Sequence, residues 1–270
     1  MEWLLTVFIF SFGAIIGSFL NVVILRHNTG RSTLGRSGCF SCGVTLQAQD
    51  LVPIFSFLVS LGHCRHCKSK ISLQYPLVEA GMGMLFLLLY LTFPPFSALY
   101  YALILSLLML ILVYDFRHKI IPDTFVYWFI GVSLLSLFVD FETLTFISPS
   151  LERILAGPAL LAPFFLLWFI SRGRWIGLGD GKLAWGIGWF LGLSKGTAAL
   201  LLGVWMGALT ALLLLVGQFL LSRKGKELTM KSEIPFAPFI ILGVVVALFC
   251  NIDVPQILSF FSFAALSSGF

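Results

Sequence analysis

The stretch Trp168-Phe169-Ile170-Ser171-Arg172-Gly173-Arg174-Trp175-Ile176-Gly177-Leu178-Gly179-Asp180-Gly181-Lys182-Leu183-Ala184-Trp185-Gly186 sets a carboxylate on a glycine hinge between two apolar runs. The run before it closes in a basic patch, and the sequence after it turns apolar again. An ionisable residue at the edge of a membrane is costly to keep and marks a functional site by default. A second acid answers it. Asp115, in Val113-Tyr114-Asp115-Phe116-Arg117-His118-Lys119, also stands where an apolar run meets a basic loop. Two such aspartates point to one active site shared between two helix ends.

The apolar runs follow from the composition. The 270-residue chain is 59% hydrophobic and only 11% charged, a balance that lipid-facing surface accounts for and a soluble domain does not. The expected fold class is an all-α polytopic membrane protein of about eight transmembrane helices. The runs cover residues 3–25, 77–93, 96–114, 120–139, 154–170, 183–193, 197–221 and 234–249, set against a hydrocarbon core of roughly 30 Å. The sixth is short and glycine-rich, half a span or a tilted one. The tail from 254 to 270 is apolar but broken and is expected on the surface. The N-terminus carries Glu2 and no basic lead-in, so the first run reads as a retained helix. No internal repeat is present.

A net charge of +5 raises nucleic acid as a partner, but the basic residues sit in short loops and form no aromatic-interleaved face, which excludes that class. Of the 17 basic residues, all but Arg153 and Lys195 fall in alternate loops on one side of the expected membrane. The excess of Lys and Arg assigns that side to the cytoplasm. Asp115 and Asp180 then both face it.

The one sizeable polar segment, 26 to about 74, holds Cys39-Phe40-Ser41-Cys42 and Cys64-Arg65-His66-Cys67. Each C-x-x-C turn aims two thiolates at one point, and two turns supply four tetrahedral corners for a metal, zinc first and iron second. Two disulfides or free thiols are the alternative, and disulfides are disfavoured on the cytoplasmic side. A closed four-cysteine shell is structural rather than catalytic. His63 and His66 stand beside it as competing ligands. Cys250, in the last run, is expected to be a small buried hydrophobe.

Two carboxylates in a partly desolvated site share a proton, so one takes a proton from water while the other polarises a peptide carbonyl. Gly177, Gly179 and Gly181 are expected to let the backbone turn and an extended peptide approach. The competing reading is that each aspartate caps a helix or pairs with Arg117, Arg174 or Lys182. Asp123, behind Pro122, reads as a helix-start residue instead.

Four motifs now stand in order: Gly17-Ser18-Phe19-Leu20-Asn21-Val22-Val23-Ile24-Leu25-Arg26; the two knuckles followed by Lys70-Ile71-Ser72-Leu73-Gln74-Tyr75-Pro76-Leu77-Val78-Glu79; Asp115 with Ile121-Pro122-Asp123; and Gly177-Leu178-Gly179-Asp180. Together they resemble the bacterial type IV prepilin peptidases, membrane aspartic proteases of the Gly-x-Gly-Asp kind. The resemblance implies cleavage of a basic leader from prepilin or pseudopilin precursors, after glycine, at the cytoplasmic face of the bacterial inner membrane. It also implies methylation of the new N-terminus with S-adenosylmethionine. By that resemblance Asp115 and Asp180 are the catalytic pair. Residues 1–25 are then the first transmembrane helix, 26–76 a metal-binding region associated with methyl transfer, and 77–270 the peptidase.

No Gly-x-Gly-x-x-Gly turn for the methyl donor is present. Gly13 and Gly17 read as a helix-packing face. Asn21 and Glu79 stand either as cofactor-pocket residues or as buried hydrogen-bonding groups. Three other functions stand beside this one: a Gly-x-Gly-Asp protease without methyl transfer, against which the knuckles argue; a structural membrane subunit held together by its metal loop; and an ion or proton transporter. The last would place its acids near the bilayer midplane.

Overall fold

Backbone in hydrocarbon must satisfy its own hydrogen bonds, so the apolar runs fold as helices. The structure is a computed structural model that describes residues 2–30, 32, 35–221 and 235–267. Arg31 and the expected basic loop 222–233, with Arg223, Lys224, Lys226 and Lys231, lie outside the described residues. Two compact units divide the chain, Met1–Leu110 and Ile111–Phe270.

The first unit contains α1 (Glu2–Arg26), α2 (Phe55–Val59), α3 (Gln74–Thr92) and the beginning of α4 (Pro95–His118). Helix α1 packs on α3 along the Gly13 and Gly17 face. A Cβ at Gly13 would stand 2.7 Å from the Met82 carbonyl oxygen, and one at Gly17 2.8 Å from that of Val78. Only glycine permits that approach, as expected of a Gly-x-x-x-Gly face. The intervening segment is organised from the end of α1: the Arg26 guanidinium donates to the carbonyls of Ser32, Gly35 and Arg36 at 2.6, 2.9 and 3.0 Å.

The second unit holds the end of α4, then α5 (Asp123–Leu134), α6 (Leu151–Ser171), α7 (Leu178–Leu221), α8 (Ala237–Phe249) and α9 (Val254–Ser267). A two-stranded antiparallel hairpin, β1 (Val139–Asp140) with β2 (Thr145–Phe146), precedes α6 and pairs Val139 with Phe146 and Asp140 with Thr145. Helix α7 is the centre, contacting α5, α6 and α8. Its Leu183 and Ile187, Val126 and Phe129 of α5, and Ile240 and Val244 of α8 are fully buried. Ser150 caps α6, its hydroxyl accepting from the Arg153 N–H at 3.3 Å, which satisfies one of the orphan donors of a helix start.

By length and composition, five of the described helices are able to cross a membrane, or six if the pair Ala237–Phe249 and Val254–Phe260, bent by 91°, forms one span. Two of the eight expected runs fall short of full spanning length. Lys119 closes α4 in the left-handed region (φ 55), so residues 120–122 are spent on a turn and the fourth run keeps a helix of 12 residues, about 18 Å. The eighth keeps 13.

The sixth and seventh runs join into the 44-residue α7, interrupted at Gly192 (φ 78, ψ 176). That conformation is essentially restricted to glycine. The chain doubles back there: a Cβ at Gly196 would stand 3.7 Å from the Cα of Gly188, positions roughly 12 Å apart in a continuous helix. Cys250 departs from expectation too. It is exposed, because it is the C-cap of α8, where the chain bends away rather than continuing into the core.

Candidate active site and metal centre

Asp115 lies in the last turn of α4, directly after the expected run 96–114, and is buried, 4% exposed. Its Oδ2 accepts the backbone N–H of Ala237 at 3.2 Å. Ala237 is the first residue of α8, where the N–H groups have no intrahelical partner. The carboxylate therefore satisfies an orphan donor and sits at the positive end of a helix dipole. The signal for this contact was the pair Pro235 and Pro238 around Ala237; the sequence reading placed 234–249 only as a span and missed it.

Asp180 lies in the first turn of α7 and is 9% exposed. The charge of Asp115 acts on it. The two acids stand far apart in sequence and both lie within the second unit.

The glycines around Asp180 divide their tasks. The turn between α6 and α7 is made by Arg172 (φ 52) and Gly173 (φ 75). Gly177 directly precedes α7, and a Cβ there would lie 3.8 Å from Asp180 Oδ2, in ordinary contact. Gly179 is helical and packs on the 120–122 turn, a Cβ there standing 3.0 Å from the Ile121 Cβ. A Cβ at Gly181 would stand 3.0 Å from Leu161 Cδ1 and 3.2 Å from Phe164 Cβ of α6. The small residues thus let α6 and the Ile121 turn close directly on the turn of helix that carries Asp180.

Asp123 opens α5 and accepts from Lys182 Nζ at 2.7 Å; that ammonium also lies 5.0 Å from the Tyr127 ring centroid. Lys182 is thereby engaged by α5, on the outer side of the same α7 turn.

In the first unit, the four cysteines form two matching hairpins. The N–H of Cys39 donates to Val44 O and that of Gly43 to Cys39 O, both at 2.9 Å; the N–H of Cys64 donates to Ser69 O at 2.9 Å and that of Lys68 to Cys64 O at 3.0 Å. Gly43 (φ 71) and Lys68 (φ 58) occupy equivalent left-handed positions after the second cysteine of each knuckle. All four Sγ atoms lie within 4.8 Å of one another, and those of Cys39 and Cys67 are 3.8 Å apart. Four sulfurs at about 2.3 Å from a tetrahedral metal stand roughly 3.8 Å apart. The set is arranged as a thiophilic cation requires, with one pair already at that separation.

Its electrostatics ask for one. N–H groups of Cys42 and Ser41 hold the Cys39 thiol down at about 6, and the Ser69 hydroxyl and N–H lower Cys67. Cys42, although the Val44 N–H pulls it down, is pushed up to about 11 by desolvation and by its neighbours Cys39 and Cys67. Four thiolates repel unless a cation stands between them. His63 is engaged elsewhere, its Nδ1 2.7 Å from the Leu61 carbonyl oxygen.

The remaining polar candidates are spent on protein partners. Asn21, fully buried, donates to the Tyr75 carbonyl at 3.4 Å and accepts from Gln74 Nε2 at 3.2 Å. Buried Glu79 accepts the N–H of Ile54 at 2.7 Å.

The comparisons with known proteins agree with this architecture. The family described as "Bacterial Peptidase A24 N-terminal domain" matches residues 11–93, and the "Type IV leader peptidase family" matches residues 102–212. The "Prepilin leader peptidase/N-methyltransferase" of Bacillus subtilis (strain 168) is 32% identical over 246 residues, covering 88% of this chain and 92% of that protein. The "Type 4 prepilin-like proteins leader peptide-processing enzyme" of Escherichia coli O78:H11 (strain H10407 / ETEC) is 32% identical over 203 residues, 67% of this chain and 74% of that protein. A "Prepilin leader peptidase/N-methyltransferase" of Aeromonas hydrophila is 28% identical over 278 residues, 92% and 91% of the two chains. No solved structure matches the chain. With both matched regions in order and relatives aligned over most of their length, this chain belongs to the type IV leader peptidase family.

Proposed function

We propose that this chain is a membrane aspartic endopeptidase. It removes the basic leader from type IV prepilin or pseudopilin precursors, cutting after glycine, and then methylates the new N-terminal amine. The observation that supports the chemistry is the burial of Asp115 and Asp180 at two helix ends of one unit, with the Asp115 charge acting on Asp180. Two carboxylates so placed hold one proton between them. The ionised one takes a proton from water as the oxygen attacks the scissile carbonyl carbon, and the protonated one donates to the carbonyl oxygen. Collapse of the tetrahedral adduct breaks the C–N bond and returns a proton to the leaving amine. The Ala237 N–H holds the Asp115 carboxylate in one orientation throughout.

The region 26–76 holds zinc on Cys39, Cys42, Cys64 and Cys67, which supplies structure rather than catalysis. S-adenosylmethionine supplies an electrophilic methyl group to the amine that cleavage frees. Asn21 and Glu79 do not fit as its open ligands, since Asn21 Nδ2 and Oδ1 and one carboxylate oxygen of Glu79 are engaged by the protein. The peptidase region is 77–270. Eight crossings follow if the two arms of α7 are counted separately and the short α5 and α8 each cross. The basic loops then face the cytoplasm of a bacterial inner membrane, with the aspartates at that surface.

The test is intact-mass analysis of a prepilin-like precursor after incubation with purified enzyme and S-adenosylmethionine, using wild type, Asp115→Asn and Asp180→Asn. Leader loss plus one methyl group in wild type, with neither variant cutting, supports the reading. Cleavage by both variants would remove the dyad, and cleavage without methylation would remove the transferase.

A further inference from the structure

Between the two knuckles, Leu51-Val52-Pro53-Ile54-Phe55-Ser56-Phe57-Leu58-Val59-Ser60-Leu61-Gly62 carries no charged side chain. Its large apolar groups do not fold inward: Leu51, Val52, Phe55, Leu58, Val59 and Leu61 are all exposed, Leu61 at 82%. A contiguous apolar patch of this kind in water marks an interaction surface.

Glu79 sets the depth of that surface. Its carboxylate reaches out of α3 to accept the Ile54 N–H at 2.7 Å. Ile54 is the centre of a γ-turn closed by the Phe55 N–H donating to Pro53 O at 2.6 Å, with φ 63 and ψ −51. That turn is rare and strained, most of all for a β-branched residue, so the tie is held against a backbone preference. Helix α3 is 19 residues, about 28 Å, one hydrocarbon thickness. Glu79 stands five residues inside it, roughly 7.5 Å from its start, and helical side chains lean towards the N-terminus. The bond therefore fixes Ile54 beside the first turns of α3, at the boundary of headgroups and acyl chains.

The flanking charge suits a lipid surface. Lys68 and Lys70, past the second knuckle, are exposed, while Arg65 is neutralised by Asp50 at 3.1 Å. Lysines at this height complement anionic headgroups. We propose that residues 51–62 lie in the interface of the leaflet next to the basic loops, as an in-plane anchor of the metal-binding region, with lipid as the occupant. The strained Ile54 turn, tied to Glu79, aims Phe55 and Leu58 into the acyl region. The proposal stands on α1 and α3 crossing the bilayer, and it is separate from the peptidase reading.

The experiment places the photocrosslinker p-benzoylphenylalanine at position 55, 58 or 8 of the full-length enzyme, in nanodiscs of phosphatidylethanolamine and phosphatidylglycerol. Position 8 lies exposed on α1 and reports the spanning helix. After irradiation, intact mass is expected to show a lipid adduct at all three positions. An adduct at 8 with none at 55 and 58 overturns the proposal. Crosslinks from 55 or 58 to a second copy of the chain, or to an added precursor, in place of lipid also overturn it. Absence of adduct at 8 as well would remove the spanning reading and the anchor with it.

Discussion

The N–H of Ala237 donates to Asp115 Oδ2 at 3.2 Å, so a carboxylate in the last turn of α4 also closes the start of α8. The structural and chemical tasks of Asp115 are separable on this basis. Asp115→Asn keeps an acceptor for Ala237 and loses the ionisable group; Asp115→Ala loses both. Both variants are expected to lose cleavage by at least about 10²-fold, the usual worth of a positioned acid or base. Only Asp115→Ala should lose stability as well, by about 1–3 kcal/mol for the orphaned N–H. Thermal unfolding in detergent beside a leader-cleavage assay separates the two effects. Equal unfolding temperatures for the Asn and Ala variants would show that the hydrogen bond carries no stability.

That bond was invisible in the sequence, whereas the aspartates were not. Charged groups within apolar sequence are exceptions to composition and stand out, as do two C-x-x-C pairs. A backbone N–H has no side chain to announce it, and only the prolines at 235 and 238 hinted at a helix start there. Gly192 was hidden differently. The run from 183 to 196 offers Gly186, Gly188, Gly192 and Gly196 as candidate breaks. Packing selects among them: Gly186 is pressed by Phe129, Gly188 by Ala156, and Gly196 by Leu160, which leaves Gly192 with open space and a positive φ. Such a choice belongs to tertiary structure. Helix type was legible throughout; the lengths of the fourth and eighth runs were shortened by turns that hydropathy does not see.

Gly179 and Ile121 form a testable pair. The 3.0 Å separation of a Gly179 Cβ from the Ile121 Cβ means Gly179→Val overfills the contact, at about 1–3 kcal/mol. Ile121→Ala removes the Cδ1 and Cγ1 atoms at 3.4 and 3.5 Å but keeps the Cβ at 3.0 Å, so the double variant should recover only part of the stability and cleavage that Gly179→Val loses. A double-mutant cycle is expected to show coupling of about 0.5–3 kcal/mol, the range for residues in contact. Additive losses would mean that Gly179 serves something other than this packing.

Removal of the metal should act on the first unit. Cys64, the buried member of the set, is expected on Cys64→Ser to abolish the bound zinc, about one per chain in wild type by elemental analysis. Residues 26–74 should then become sensitive to protease, since a structural metal contributes the folding energy of so small a region. The pH sign follows from the thiols. Zinc takes thiolates, and Cys42, pushed up to about 11, is protonated at neutral pH, so uptake by the metal-free protein releases protons and strengthens as pH rises. Below about 6, where Cys39 also takes up its proton, uptake should weaken more steeply. Zinc affinity independent of pH between 5 and 8 would contradict a thiolate site.

Gly192 divides α7 at φ 78 and ψ 176. Nothing crowds that position, since a Cβ there meets no atom within 4 Å. Any cost of Gly192→Ala is therefore backbone strain alone, about 1–3 kcal/mol for a conformation that only glycine adopts readily. Gly131 serves as the control, because a Cβ there also meets open space and its φ is not positive. In the interior of α5, Gly131→Ala should be neutral or stabilising, by up to about 1 kcal/mol. Chemical or thermal denaturation of both variants in detergent gives the comparison. Opposite signs at the two glycines are expected; a loss at Gly131 equal to that at Gly192 would mean that the α7 break does not depend on the left-handed residue and that the two arms are held apart by packing alone.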